Sequence, residues 1–323
     1  ICDIGPGSPV GAAFGYGAKF PAKYQKAFFI CDWTFGTMYA IHLTPQGGSY
    51  VGKKEEFVSR SPLPLTDVAV GLDGALYFTI GGRGTDSEIY RVVYEGSDST
   101  TPIKGNDSEH AADRNLRKLA EKSHLENSNF EAAELISLLS HGDRYIRYAA
   151  RVGIERKPIS DWLDLAMQIK DANGRIHAML ALARQGDAEN YDSFLNVMQA
   201  IDFGGLSKSE KLAYLRTLSV GFIRLSQPDA KTKKDFADKL DPVFPSQSDS
   251  LNKELSRVLV YLDSPKVIET TLNIMRNPPP QDPEILTDLL ARNAGYGGTI
   301  AKMLSNLPEI QNIHYASMLR NLR

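Results

Sequence analysis

Arg83 stands inside the run Gly81-Gly82-Arg83-Gly84. With glycines on both sides, a guanidinium can approach a carboxylate or a quinone oxygen and grip it through two N–H donors. Asp32, in CDWTFG, and Asp67, in LTDVAV, are carboxylates able to accept a proton or bind a cation. Trp33, next to Asp32, offers a ring on which a sugar or a cofactor can stack. The candidate catalytic residues are therefore Arg83, Asp67 and Asp32, and the candidate cofactor-binding residues are Arg83 and Trp33. Each has a plainer explanation as well: Asp67 as a turn stabiliser, residues 81–84 as a tight loop, Trp33 as a core side chain.

Other chemistry is thinly represented. The Gly15-Tyr16-Gly17 run has the look of a phosphate loop, but no strand, loop and helix surround it. The six histidines are scattered, none at the i, i+4 spacing that puts two ligands on one helix face, so no metal site is expected. Cys2 and Cys31 permit one disulfide, which would suit an oxidising compartment, or are two small buried hydrophobes. No CxxCH is present to attach haem. Lys plus Arg number 37 against 39 Asp plus Glu, a net charge of -2, so nucleic acid is not an expected partner. No apolar run approaches the roughly 20 residues of a membrane span.

The candidate residues need a scaffold, and the chain changes character near residue 95. Before it, short runs of aromatic and β-branched residues lie between glycines and prolines: AFFICD, TMYAIHL, SYVGKKEEFV, DVAVG, ALYFTI and EIYRVVY. Their alternation predicts strands, and Asp73-Gly74 between two of them predicts a hairpin. The spacing from Ile30 to Ile80 matches one blade of a β-propeller, so residues 1–94 are expected to be the last one to two blades of such a ring. Fewer than two blades cannot close a ring, and a chain that starts at Ile1 is expected to be the middle of a longer protein. Residues 95–110 are nearly devoid of apolar side chains and read as a linker. From 111 to 323 the period becomes helical, with breaks at Pro, Gly and Asp. Asp143, Arg147, Ala149 and Ala150 form a HEAT-like pattern: the aspartate caps a helix, the arginine reaches a neighbouring turn, and the alanines allow close approach. The expected fold class is thus a partial β-propeller followed by a HEAT-like α-solenoid of about five helix pairs. An irregular helical bundle is the plainer alternative for the second part.

The stretch AFFICDWTFGTMYAIHLTPQGGSYVGKKEEFVSRSPLPLTDVAVGLDGALYFTIGGRGTDSEIYRVVY, with GDRYIRYAARVGIERKP, resembles a family of large secreted proteins of Planctomycetes and Verrucomicrobia. These are described as membrane-bound dehydrogenases or haem-binding CxxCH proteins. The likeness runs from about residue 15 to the end of the chain and is most specific over 27–94 and 141–158. In that family a propeller similar to soluble quinoprotein sugar dehydrogenases precedes HEAT-like helices and a cytochrome c domain. The resemblance implies a periplasmic or extracellular dehydrogenase of a sugar or alcohol that passes electrons to the cytochrome. The cofactors it implies are haem c on a domain absent from this chain and a quinone such as PQQ. It leaves a second expectation open: a non-catalytic binding or scaffolding protein. In that case the helices dock protein partners or adjacent domains, and the β part holds a sugar or other small molecule.

Overall fold

The computed structural model describes residues 1–323 except 6, 83, 106–107, 126–129, 278–296, 300–301, 303–309 and 322–323. The chain falls into two compact units, one built on Ile1–Ala112 and one on Asp113–Pro280 with Pro308–Arg323.

In the first unit the alternating runs become two antiparallel sheets. Strands β1 (Pro9–Phe14), β2 (Phe28–Asp32), β3 (Thr37–Gln46) and β4 (Ser49–Ser59) form one, in the order β1-β2-β3-β4. Strands β5 (Leu65–Val70), β6 (Leu76–Gly82) and β7 (Thr85–Val92) form the other, with β6 central. The β5–β6 hairpin turns where the Asp-Gly pair predicts it: Asp73 accepts from the amide of Ala75 at 3.1 Å, and Gly74 N–H bonds Gly71 C=O at 2.9 Å. Period-2 alternation decides which face is buried. Leu76, Phe78 and Ile80 of β6 enter one core with Val68 of β5, Phe29 and Cys31 of β2 and Met38 of β3. That shared core is what packs the two sheets together. Strands β1 and β5 come so close that a Cβ on Gly11 would lie 2.3 Å from Cα of Asp67, so only glycine fits there.

Two polar clusters fasten the short helix α1 (Ala22–Gln25), which links β1 to β2, to its surroundings. Glu55 of β4 accepts from the Tyr24 hydroxyl at 2.9 Å, pairs with Lys23 at 2.5 Å and bonds His42 Nε2 at 2.7 Å. Gln25, buried, donates to the carbonyls of Phe20, Thr100 and Thr101 and accepts from the amide of Ile103 at 3.1 Å. The apolar-poor segment after β7 is therefore held to the β unit by its backbone. Sequence reasoning missed this, because the anchor is one side chain about 75 residues upstream.

The second unit is helical. Its helices are α2 (Ala111–Lys122), α3 (Ala132–Leu138), α4 (Arg144–Ile154), α5 (Leu163–Met167), α6 (Ala172–Gln185) and α7 (Tyr191–Ala200). They continue with α8 (Lys208–Arg224), α9 (Ala230–Leu240), α10 (Asp249–Tyr261), α11 (Val267–Arg276) and α12 (Ile310–Leu319). Asp143 caps α4, its Oδ1 accepting from the amides of Tyr145 at 2.8 Å and Ile146 at 3.1 Å. Arg147 reaches back to the carbonyls of His141 and Gly142, and Ala149 and Ala150 are buried. The core gathers Trp162, Met179, Phe194, Tyr214, Phe236 and Leu259.

The expected fold class, a partial β-propeller followed by a HEAT-like α-solenoid, is corrected by this arrangement. The described residues make two small antiparallel sheets, of four and three strands, and then a helical region; no closed propeller blades are present among them. The physical reason lies in what the signals encode. A tight turn between two alternating runs specifies local antiparallel pairing, and carries no information on how sheets are set about an axis. The strand β1, PVGAAF, escaped notice because its alternation is built from small residues. In the helical unit, element lengths run from 5 residues in α5 to 17 in α8, with 3-10 turns at Ile159–Asp161, Ala188–Asn190 and Asp241–Val243. Such uneven lengths do not make the uniform unit a solenoid repeats. The proline-rich break at 277–283 lies outside the described residues apart from Asn277, as does Tyr296. Among the described residues no helix is long and apolar enough to cross a membrane.

Candidate functional site

Where β6 gives way to β7, the first unit has a cleft of about 860 Å³, within the size range of small-molecule sites. Its walls come from Ser8 just before β1 and Val10 within it, the β2–β3 turn (Trp33, Thr34), β5 (Thr66), β6 (Thr79 to Gly82) and β7 (Ser87 to Ile89).

Trp33 is the hinge of this construction. Its indole Nε1 donates to the carbonyl of Gly81 at 2.9 Å, and the amide of the same Gly81 donates to Pro64 C=O at 3.0 Å. The turn of the first sheet is thereby tied to the last strands of the second, and the ring is held as one wall of the cleft. Gly82 follows with φ +98°, a left-handed conformation that a side chain would strain, and a Cβ there would meet Trp33 Nε1 at 3.7 Å. Gly84, at φ +81°, likewise takes a conformation that favours glycine.

Hydroxyls line the rest in pairs. Thr66 Oγ1 and Thr79 Oγ1 are 2.7 Å apart on adjacent strands, and Thr34 Oγ1 donates to Ser8 Oγ at 2.7 Å. A hydroxyl has one donor and two acceptor lone pairs, so the Thr66–Thr79 pair, which shares one hydrogen, keeps a donor and lone pairs beyond the shared bond. Ser87 and Glu88 of β7 complete the lining, and the Glu88 carboxylate accepts from the Tyr90 hydroxyl beside it.

Of the residues singled out from sequence, Trp33 lines the cleft. Asp32 does not: it is 1% exposed, and its Oδ1 accepts from the amides of Ser8 at 2.8 Å and Thr34 at 3.1 Å. It works one layer behind the surface, fixing the two segments that carry the Ser8 and Thr34 hydroxyls. Asp67 is exposed, sits at an irregularity of the β5–β6 pairing and accepts from the next amide, Val68 N–H, at 2.8 Å; it too is outside the lining. Arg83 lies outside the described residues. The lining residues Ser8, Thr34, Thr66, Thr79, Ser87 and Glu88 were missed. Only the outward positions of Thr66 and Thr79 in alternating strands offered a signal, and threonine on an outer strand face is ordinary.

Cys2 and Cys31 are both free thiols. Cys31 is fully buried and its ionisation is pushed up to about 12 by burial, with the charge of Asp67 adding to the effect. Glu55, by contrast, is drawn down to about 2, chiefly by its hydrogen bond from Lys23 and further by those with His42 and Tyr24, against the opposing cost of desolvation. In the helical unit His177 is lowered to about 4 by burial and then by the charges of Arg147 and Arg151. Among the described residues no three His, Cys, Asp or Glu side chains gather in a way that could hold a metal ion.

No protein-family model, no curated protein and no solved structure matches the chain.

Proposed function

We propose that this protein is a binding protein whose β unit receives a polyhydroxylated small molecule, a sugar or sugar-like alcohol, in the cleft beside Trp33. The observation that carries the reading is the coincidence, in one cleft, of an oriented indole and two hydroxyl pairs. Sugars offer both faces this lining matches: C–H surfaces that pack on an aromatic ring, and vicinal hydroxyls that exchange hydrogen bonds with fixed polar groups. The expectation of a dehydrogenase draws less support from the same residues. Asp32 is engaged by two amides and buried, and Asp67 stands outside the cleft, so neither candidate base faces a ligand held there.

The test uses the protein's own fluorescence. It has two tryptophans, Trp33 in the cleft and the fully buried Trp162 of the helical unit. In a Trp162→Phe background, titration with a panel of monosaccharides and acyclic polyols should change Trp33 emission saturably for at least one of them. A flat response across the panel would dispose of the reading.

A further inference from the structure

The two hydroxyl pairs of the cleft come from different sheets, and each stands beside an exposed aliphatic side chain. Thr66 and Thr79 meet on β5 and β6, and Ile89 of β7 pairs with Thr79, so strand alternation sets it on the same face, where it is 74% exposed. Ser8 accepts from the Thr34 hydroxyl at 2.7 Å, and Val10, two residues further along the same extended chain, is 48% exposed. The bond from Trp33 to Gly81 ties the turn that carries Thr34 to the strand that carries Thr79, and both groups line one cleft. Neither group carries a charge. Glu88 pairs with Ile80, which places it on the sheet face away from Thr79 and Ile89. The cleft volume of about 860 Å³ stands near the top of the roughly 300–1,000 Å³ of small-molecule sites, more room than one sugar ring fills.

Taking the cleft to be the polyol site argued above, we infer that its ligand is a neutral oligosaccharide of at least two rings, bound across both sheets. One ring lies on Ile89 and exchanges hydrogen bonds with Thr66 and Thr79. The next lies on Val10 and exchanges them with Ser8. At each position an aliphatic side chain covers C–H surface while a neighbouring hydroxyl gives or takes a hydrogen bond. A monosaccharide fills one position at a time and leaves the other to water. A second ring on the same molecule adds its contacts without a second loss of translational freedom.

Calorimetric titration of the whole chain with glucose, galactose and mannose, and with cellobiose, maltose, lactose and mannobiose, compares one ring with two. At least one disaccharide should bind about tenfold tighter than the better of its own constituent sugars, the worth of one to two added neutral hydrogen bonds. Its affinity should be the same at low and high salt, as neutral recognition requires. In Ser8→Ala, and separately in the double variant Thr66→Val, Thr79→Val, the advantage of the second ring should shrink to less than about threefold. Equal affinity for disaccharides and their constituent sugars, an advantage that survives either set of substitutions, or one that disappears at high salt would overturn the inference and leave the polyol reading standing. Binding of none of these sugars would overturn both.

Discussion

The indole Nε1 of Trp33 donates to the carbonyl of Gly81 at 2.9 Å, across 48 residues of sequence and from one sheet to the other. This bond makes the β2–β3 turn and the end of β6 one construction, and its loss should be felt in both stability and binding. Trp33→Phe keeps an aromatic wall and removes the donor, leaving the Gly81 oxygen without its partner. A loss of about 1 kcal/mol in unfolding free energy is expected, measured by urea titration, with weaker sugar binding. Trp33→Ala, which also removes the ring, should abolish binding. Full stability and binding in Trp33→Phe would show that the bond is incidental.

Asp32 holds two amides from two segments while almost completely shielded from water. Asp32→Ala should therefore cost about 1–3 kcal/mol, the penalty for leaving buried donors unmet, while Asp32→Asn, which retains an acceptor, should cost less. Because the role assigned is positional, both variants should weaken ligand binding only as far as Ser8 and Thr34 are displaced. A stable Asp32→Asn protein with binding lost altogether would instead give the carboxylate a direct part in recognition.

The two cysteines should behave differently towards thiol reagents. With its ionisation pushed up to about 12 and no exposed surface, Cys31 has almost no thiolate at neutral pH and no path for a reagent. An aromatic disulfide reagent should label Cys2 alone in the native protein and both cysteines in denaturant. Rapid native labelling of two thiols, or of none because the pair is oxidised, would contradict the arrangement.

Acid should destabilise the protein in two separable windows. His177 is neutral in the fold down to about 4 but protonates near its ordinary 6.5 when unfolded. The unfolded state then binds the extra proton, so stability present above 6.5 falls as pH drops from 6.5 towards 4. Glu55 is lowered from an ordinary 4.5 to about 2, so its contribution is complete above 4.5 and is lost as pH falls towards 2. Denaturation midpoints measured against pH should flatten over the upper window in His177→Gln and over the lower one in Glu55→Gln. Unchanged slopes would remove these groups from the acid response.

How far the sequence could be read follows the range of each interaction. Strand positions such as Phe28–Asp32 and Leu76–Gly82, the Asp73-Gly74 turn and the Asp143 cap all rest on contacts a few residues long, and local pattern reaches that far. The placing of sheets about one another depends on long-range packing such as Gly11 against Asp67, which no local period encodes, and there the expected propeller and solenoid were corrected. The cleft falls between these cases. Trp33 drew attention by its type, whereas Thr66 and Thr79 acquire meaning only when strand pairing brings their hydroxyls together on one face. Asp32 was noticed for its chemistry and proves to matter for its hydrogen bonds.

The central claim is that hydroxyl pairs in the cleft recognise a polyol, and the Thr66–Thr79 pair is the part most easily removed without disturbing the core. Titration calorimetry with the tightest-binding sugar, on the unaltered protein and on the double variant Thr66→Val, Thr79→Val, tests it directly. The prediction is one saturable site per chain, weakened at least tenfold in the double variant, with its thermal unfolding nearly unchanged. Equal affinity in the two proteins, or no heat of binding with any sugar, would contradict it.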